Sequence, residues 1–275
     1  MNPPALPKVV DPVFDENDAA VLDTFVVPSY LRLFWEASRN MLLVGEAARV
    51  VQLGSLTGYP GRDWLSRMPN TTGLGVESSE ACVVLAAQKE APEKFSYLTG
   101  DPTATGLQAH TFSHALMMHP IGTPEKRAEL LSEAARLLYS GGQALISLPL
   151  SRSFPEVLDL IEEFSLKYDD TDITRSLEQA AAERVTIESL SEELEAAGFS
   201  DIDFEIHHDT ICYDSGRAFL EDPSVRFFIA PQIEAWLEQV DLGSAMEYVG
   251  RAIDKYWSDS RMEMGLSIAS FSARR

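Results

Sequence analysis

Cysteine is nearly missing from this 275-residue chain. Cys82 and Cys212 are the whole complement, too few for a disulfide framework or, by themselves, for a zinc site. Basic residues are scarce too: 22 Lys and Arg stand against 43 Asp and Glu, for a net charge of −21 at pH 7. A field of that sign repels phosphate backbones and anionic lipid. No run of Lys or Arg offers a local exception, so neither nucleic acid nor a membrane is expected as a partner. No apolar run approaches the roughly 20 residues that span a bilayer. The opening MNPPALPKVVDPVFDENDAA lacks the basic segment and apolar core of a secretory signal. A cytoplasmic protein with free thiols is the expectation. Internal repeats and low-complexity segments are also lacking.

What is present is alternation. The first 29 residues, rich in Pro and Asp, read as an N-terminal arm, and residues 30–275 as one domain. Leu31, Phe34, Trp35 and Met41 have helical spacing, with Ser29 available as the N-cap. Strand-like RVVQLG, TGLGVES, FSYLTG, FSHALMM and GQALISLP then alternate with helical GRDWLSRM, SEACVVLAAQKEA and PEKRAELLSEAARLLYSG. Short, continuously apolar strands separated by helices predict an α/β fold, with a mostly parallel sheet covered on both faces. Two further helices (FPEVLDLIEEFSLKY, TIESLSEELEAAGF) lead to DIDFEIHH, and the chain closes on MGLSIASFSAR. Between those last two strands, about residues 211–260, lies a helical insertion too structured to be a linker. Its apolar residues, among them Phe219, Val225, Phe227, Phe228, Ile229, Ile233 and Trp236, predict either a lid over a site or a homo-oligomer contact.

The segment VVQLGSLTGYPG (50–61) carries the first chemistry. A strand that ends in glycines and opens a helix lets the backbone approach a ligand and presents unpaired N–H groups to it. Pro60 suits the first turn of that helix. Taken alone, the glycines fit an empty turn equally well. Twenty-three positions after Gly54, Glu77 ends the next strand, where a carboxylate can accept both ribose hydroxyls of an adenosine-containing ligand or simply favour a helix N-terminus. Asp101, in TGDP, ends the third strand and serves either an adenine amino group or its own turn. All three lie along one edge of a parallel sheet, where such folds bind ligands.

The order of VVQLGSLTGYPG, GLGVESS, YLTGDP, TFSHALMMHPI, EAARLLYSGGQALISLP and LSEELEAAGFSDIDFE resembles the class I S-adenosylmethionine-dependent methyltransferases, over roughly residues 30–210. The resemblance implies a Rossmann-like sheet of seven strands and S-adenosylmethionine as cofactor. It further implies a cofactor site bordered by Gln52, Gly54, Ser55, Gly58, Glu77, Ser78, Asp101 and Pro102, with the glycine loop at the methionine end, Glu77 on the ribose and Asp101 near the adenine. The methyl group would pass to a small-molecule or protein acceptor.

This chain departs from the family pattern at three places. Gln52 stands where the family has an acid, Leu56 where it has a glycine, and Phe112-Ser113-His114 where a phenylalanine-aspartate pair is common. Gln52 and Leu56 therefore support an alternative, a non-catalytic module that binds a partner or the cofactor without turnover. A short-chain dehydrogenase reading fails because no tyrosine has a lysine four residues on. His110, His114 and His119 lie close together, but without HExxH spacing on a helix no metal site is expected. His119, in the loop after the fourth strand, is the candidate base, expected to titrate near neutrality. Its bland alternative is a solvent-facing loop histidine. His207 and His208 end the sixth strand with no further support. Tyr30 is either a residue closing over the cofactor or an ordinary packing tyrosine, and the four tryptophans read as packing.

Overall fold

The computed structural model describes residues 14–68, 70–89, 93–183, 185–237 and 241–275. The first 13 residues of the expected arm and residues 238–240 of the insertion lie outside them.

Seven strands form one sheet: β1 (Arg49–Leu53), β2 (Thr72–Glu77), β3 (Phe95–Thr99), β4 (Phe112–Met118), β5 (Leu138–Pro149), β6 (Ser200–Tyr213) and β7 (Met262–Arg274). Their order is β3-β2-β1-β4-β5-β7-β6. The first five are parallel, and β7 runs antiparallel between β5 and β6. Every residue of β4 is buried, as its unbroken apolar run requires of a strand covered on both faces. Chain order runs outward through β2 and β3 on one side of β1, and through β5 on the other side of β4. The C-terminal ends of β1 and β4 therefore border the crevice that a switch in strand order leaves open.

One face of the sheet packs under Leu131, Leu137, Leu190 and Leu194 from the helices Pro124–Leu137 and Ile187–Ala196. The other packs under the N-terminal helix and the insertion, through Phe34, Trp35, Phe228 and Ile253. β5 starts at Leu138, which pairs with Phe112, so the residues from Leu138 to Gly142 are already strand rather than the end of the preceding helix. β6 runs on to Tyr213, and the insertion starts after it. A helix over Thr171–Glu183 was not legible beforehand.

The arm is corrected from Phe14 onward. Helix runs without a break from Glu16 to Ser38, and Asp15 caps it by accepting the Asp18 N–H at 2.8 Å. Ser29, expected as the cap, lies inside, its hydroxyl donating to the Phe25 carbonyl at 2.6 Å. Residues Leu22–Leu31 are π-helical and contain Pro28. A proline inside a helix lacks a donor and crowds the preceding turn, and the wider π register absorbs it. Ala19, Leu22, Val26, Tyr30 and Phe34 are buried along this rod, which makes it part of the core.

All seven apolar residues singled out in the insertion are buried within the chain's own core, so none needs a second copy to leave water. The insertion's helices Gly216–Glu221 and Gly243–Tyr256 meet backbone to backbone. A Cβ on Gly216 would sit 1.8 Å from the Gly250 carbonyl oxygen. Gly216→Ala must push the two helices apart, and a loss of roughly 1–3 kcal/mol is expected from such overpacking. Urea midpoints check this, and an unchanged midpoint would refute the close contact.

Candidate functional site

The loop after β1 is shaped by three residues with positive φ: Gly54 (73°), Leu56 (47°) and Gly58 (88°). The N–H groups of Gly54 and Ser55 both donate to the Val76 carbonyl, at 2.9 and 3.1 Å, which binds the loop to β2. A Cβ built on Gly54 meets nothing within 4 Å, so the space over this residue is open. Leu56 is the unusual member, since a side chain rarely adopts this conformation and its cost is of order 1–3 kcal/mol. Its N–H donates to Glu77 Oε2 at 2.8 Å.

Glu77 is only 3 % exposed. Its Oε1 accepts from the Ser79 N–H at 3.0 Å and the Ser78 hydroxyl at 3.2 Å. Two carboxylate oxygens offer about four acceptor positions, and the Leu56 N–H, the Ser79 N–H and the Ser78 hydroxyl fill three of them. Glu77 is thus both a brace for the loop and a wall of the cavity.

That cavity, about 90 Å³ at the C-terminal ends of β1, β2 and β4, is bordered by Gly54, Leu56, Glu77 and Ser78 on one side. Pro102 and Thr103 border it after β3, Met118 and His119 after β4, and Phe14 and Phe228 from the covering segments. Of the eight residues expected at a cofactor site, Gly54, Glu77, Ser78 and Pro102 line this cavity, and Gln52, Ser55, Gly58 and Asp101 do not. Gln52 is fully buried beneath the loop and donates from Nε2 to the Tyr59 carbonyl at 2.7 Å. A carboxylate there could only accept, and would face that carbonyl as a buried charge. Ser55 is buried against Gly75, and the Gly58 carbonyl accepts from Tyr97 at 3.3 Å. Asp101 is exposed, and its Oδ1 accepts both the N–H and the hydroxyl of Thr103 at 2.8 Å, which is turn chemistry. Thr103 and Phe14 were missed, the latter because it arrives from a distant part of the chain, whereas Phe228 belongs to the segment singled out as a lid or a contact surface.

His119 differs most from expectation. It is 2 % exposed, and its ring packs against Phe34, Phe228 and Tyr30 with centroids 4.6, 5.1 and 5.5 Å away. Burial pushes its pKa down to about 3, against a weak upward pull from its own backbone, so it is neutral near pH 7. It is therefore neither a solvent-facing loop residue nor a base that titrates near neutrality. Its Nε2 lies 2.8 Å from the Tyr30 hydroxyl, and Nδ1 has no hydrogen-bond partner among the described residues. Burial drives the Tyr30 phenol well above its usual range, so it too is neutral. If Tyr30 donates to Nε2, one buried donor, Nδ1–H, is left unpaired. If Nε2–H donates instead, both the phenol proton and the Nδ1 lone pair are left over. The first arrangement costs less, which makes Nδ1–H a donor.

The other histidines have local roles. His110 Nδ1 lies 3.1 Å from the Leu138 carbonyl, and His114 bridges Ser113 and the Leu43 carbonyl. His207 and His208, on β6, lie beside Glu205 and Ser267 away from the cavity. Among the described residues no helix is long and apolar enough to cross a membrane.

Residues 51–146 match the family model described as a methyltransferase domain. That segment, from β1 into β5, is therefore similar to a methyltransferase domain, and the seven-stranded sheet that contains it is Rossmann-like. No curated protein matches the chain. Among solved structures it is similar to phosphoethanolamine N-methyltransferase 2 of Haemonchus contortus, solved in complex with phosphomonomethylethanolamine and S-adenosylhomocysteine. The TM-score is 0.57 at 15% identity, over 95% of this chain and 58% of that one. This chain thus matches less than two thirds of that enzyme's length. The YcgJ protein of Bacillus subtilis is similar with a TM-score of 0.54 at 13% identity, over 89% of this chain and 97% of that one. At such identities the likeness is one of fold.

Two outcomes follow from this geometry. Glu77→Ala leaves the Leu56 and Ser79 N–H groups without their acceptor, so a loss of about 1–3 kcal/mol is expected even without ligand. Thermal melts check it, and a wild-type midpoint would remove the bracing role. The pH dependence follows from His119, whose folded pKa lies below its unfolded value, so the unfolded chain takes the proton first. Stability is then complete above about 6.5 and is lost as pH falls toward 3, by on the order of 1 kcal/mol per pH unit. His114, also lowered by burial, acts in the same direction. His119→Phe should lose less stability than wild type between pH 7 and 4.5 in urea titrations, and equal losses would contradict the burial.

Proposed function

We propose that this chain binds S-adenosylmethionine in the cavity beside Gly54 and Glu77 and directs its methyl group to an acceptor at the β4 end. The observation that carries the reading is a buried carboxylate, Glu77, facing the same space that the bare backbone of Gly54 leaves open. These residues fit the cofactor. Glu77 places a carboxylate, the acceptor that ribose hydroxyls require, on the cavity wall, Gly54 permits close approach of the methionine part, and Pro102 and Thr103 flank the place for the base. Bound there, the cofactor supplies a methyl group activated by a sulfonium sulfur.

The chain's remaining task is alignment and exclusion of water. Phe14, Met118, Ile121 and Phe228 provide the dry walls, and Tyr30 fixes the His119 ring. The competing reading, a binding module without turnover, is favoured by one observation: the Tyr30, Phe34, His119 and Phe228 rings pack closely on one another.

Calorimetric titration with S-adenosylhomocysteine tests the reading, using Gly54→Leu as the control. Added bulk over Gly54 should weaken binding at least tenfold. Binding that ignores this substitution would move the ligand elsewhere, and no binding to the unmodified chain would end the proposal.

A further inference from the structure

Resting on that methyl-transfer reading, we infer that the acceptor is a carboxylic acid, engaged as its carboxylate, methylated on oxygen and oriented by the Nδ1–H of His119. The inference starts from what the β4 end of the cavity offers. Its walls there are Phe14, Met118, Ile121 and Phe228, its neutral polar side chain is His119, and the cations Lys126 and Arg127 border the same cavity from the helix Pro124–Leu137. Nδ1 is buried and without a partner among the described residues, and the bond between Tyr30 and Nε2 leaves Nδ1 as the donor. Among the described residues that border the cavity, the one carboxylate is Glu77, already engaged by Leu56, Ser78 and Ser79.

Acceptor classes arrive at neutral pH in different forms, and this wall sorts them. An alkyl amine arrives as a cation. It would need a carboxylate partner, a base to free its lone pair, and tolerance of a sulfonium of the same sign. An alcohol or phenol arrives with its proton and needs a base, but the Nε2 lone pair is taken by Tyr30 and the Tyr30 phenol is itself neutral. A carboxylate arrives ionised. One oxygen can accept from Nδ1–H while the other supplies the electron pair for the new carbon–oxygen bond. The methyl–sulfur bond breaks with its pair left on sulfur, giving a methyl ester and a neutral thioether, and no proton moves. A site that lacks a free base is complete for that reaction.

Electrostatics adds a condition. An isolated carboxylate between apolar walls is costly, and the cationic sulfonium offsets that cost together with Lys126 and Arg127 on the cavity border. The acid should therefore bind more tightly when the cofactor site carries its positive charge. The chain's net charge of −21 slows the approach of any anion, an effect that salt screens, but the local walls decide what stays.

The test uses three probes of matched size, phenylacetate, 2-phenylethylamine and 2-phenylethanol. Each is titrated calorimetrically into the full chain saturated with sinefungin, an unreactive analogue that keeps a positive charge in place of the sulfonium. Phenylacetate should bind at least tenfold more tightly than the other two, and at least tenfold more weakly when S-adenosylhomocysteine replaces sinefungin. Nitrogen-15 NMR of the unmodified protein should find the His119 ring protonated at Nδ1, with that resonance moving on addition of phenylacetate. Preference for the amine or the alcohol, equal binding of all three, no binding of any to the loaded chain, or a proton on Nε2 would each overturn the inference. Failure of sinefungin itself to bind is a different result: it would remove the methyl-transfer reading and the acceptor proposal with it.

Discussion

The hydrogen bond between the Tyr30 hydroxyl and His119 Nε2 joins parts of the chain that sequence order keeps far apart. Tyr30 belongs to the N-terminal helix and His119 follows β4, while Phe228, from the insertion, closes the cluster over both rings. Removing either partner would strand a polar atom where water cannot reach it, at a cost of about 1–3 kcal/mol. The covering segments are fastened to each other as well. Phe14 stacks edge-on against Phe227 at 5.3 Å, Asp18 pairs with Arg226 at 2.8 Å, and the Phe14 carbonyl accepts from the Ser79 hydroxyl at 2.7 Å. The dry character of the cavity depends on this arrangement, and so does the neutral state of His119.

Local signals were legible in the sequence. The glycine loop, Glu77 at the end of β2 and the alternation of strands with helices each depend on neighbours within a few residues, and each stands where it was expected. Signals that depend on distant segments were not. Nothing near His119 in the chain is aromatic, since Phe34 and Phe228 approach it only through tertiary packing, and a histidine's pKa follows its surroundings. Ser29 was misread because Asp15 supplies an earlier cap and because the π register carries the helix past Pro28. Asp101 was ambiguous by nature, since an aspartate after a strand serves its own turn as readily as a ligand.

The departures from the family pattern also become physical. Gln52 donates to the Tyr59 carbonyl in a fully buried position, a contact no carboxylate could make. Leu56 is held in its left-handed conformation partly by the bond from its N–H to Glu77. The two altered positions thus belong to one loop path, in which an amide below and a carboxylate beside the loop take over its support. An altered glycine pattern is therefore compatible with an open space over Gly54, because the glycine that borders the cavity is the one that was kept.

The placement of the insertion explains how a cover can exist without weakening the sheet. β6 and β7 are antiparallel neighbours paired from Ser200↔Arg274 to Tyr213↔Met262, so a short turn would suffice to join them. The longer connection leaves from the end of that ladder, crosses the sheet face and returns to it. Phe228 is delivered to the β4 end on a π-helical stretch, Val225–Ile229, just as Tyr30 is on Leu22–Leu31. Admitting a ligand beneath these residues would cost ring contacts, the Asp18–Arg226 pair and a few side-chain hydrogen bonds. It would cost none of the sheet's own bonds, so the strand ends that carry Gly54, Glu77 and His119 can hold their positions while the cover yields.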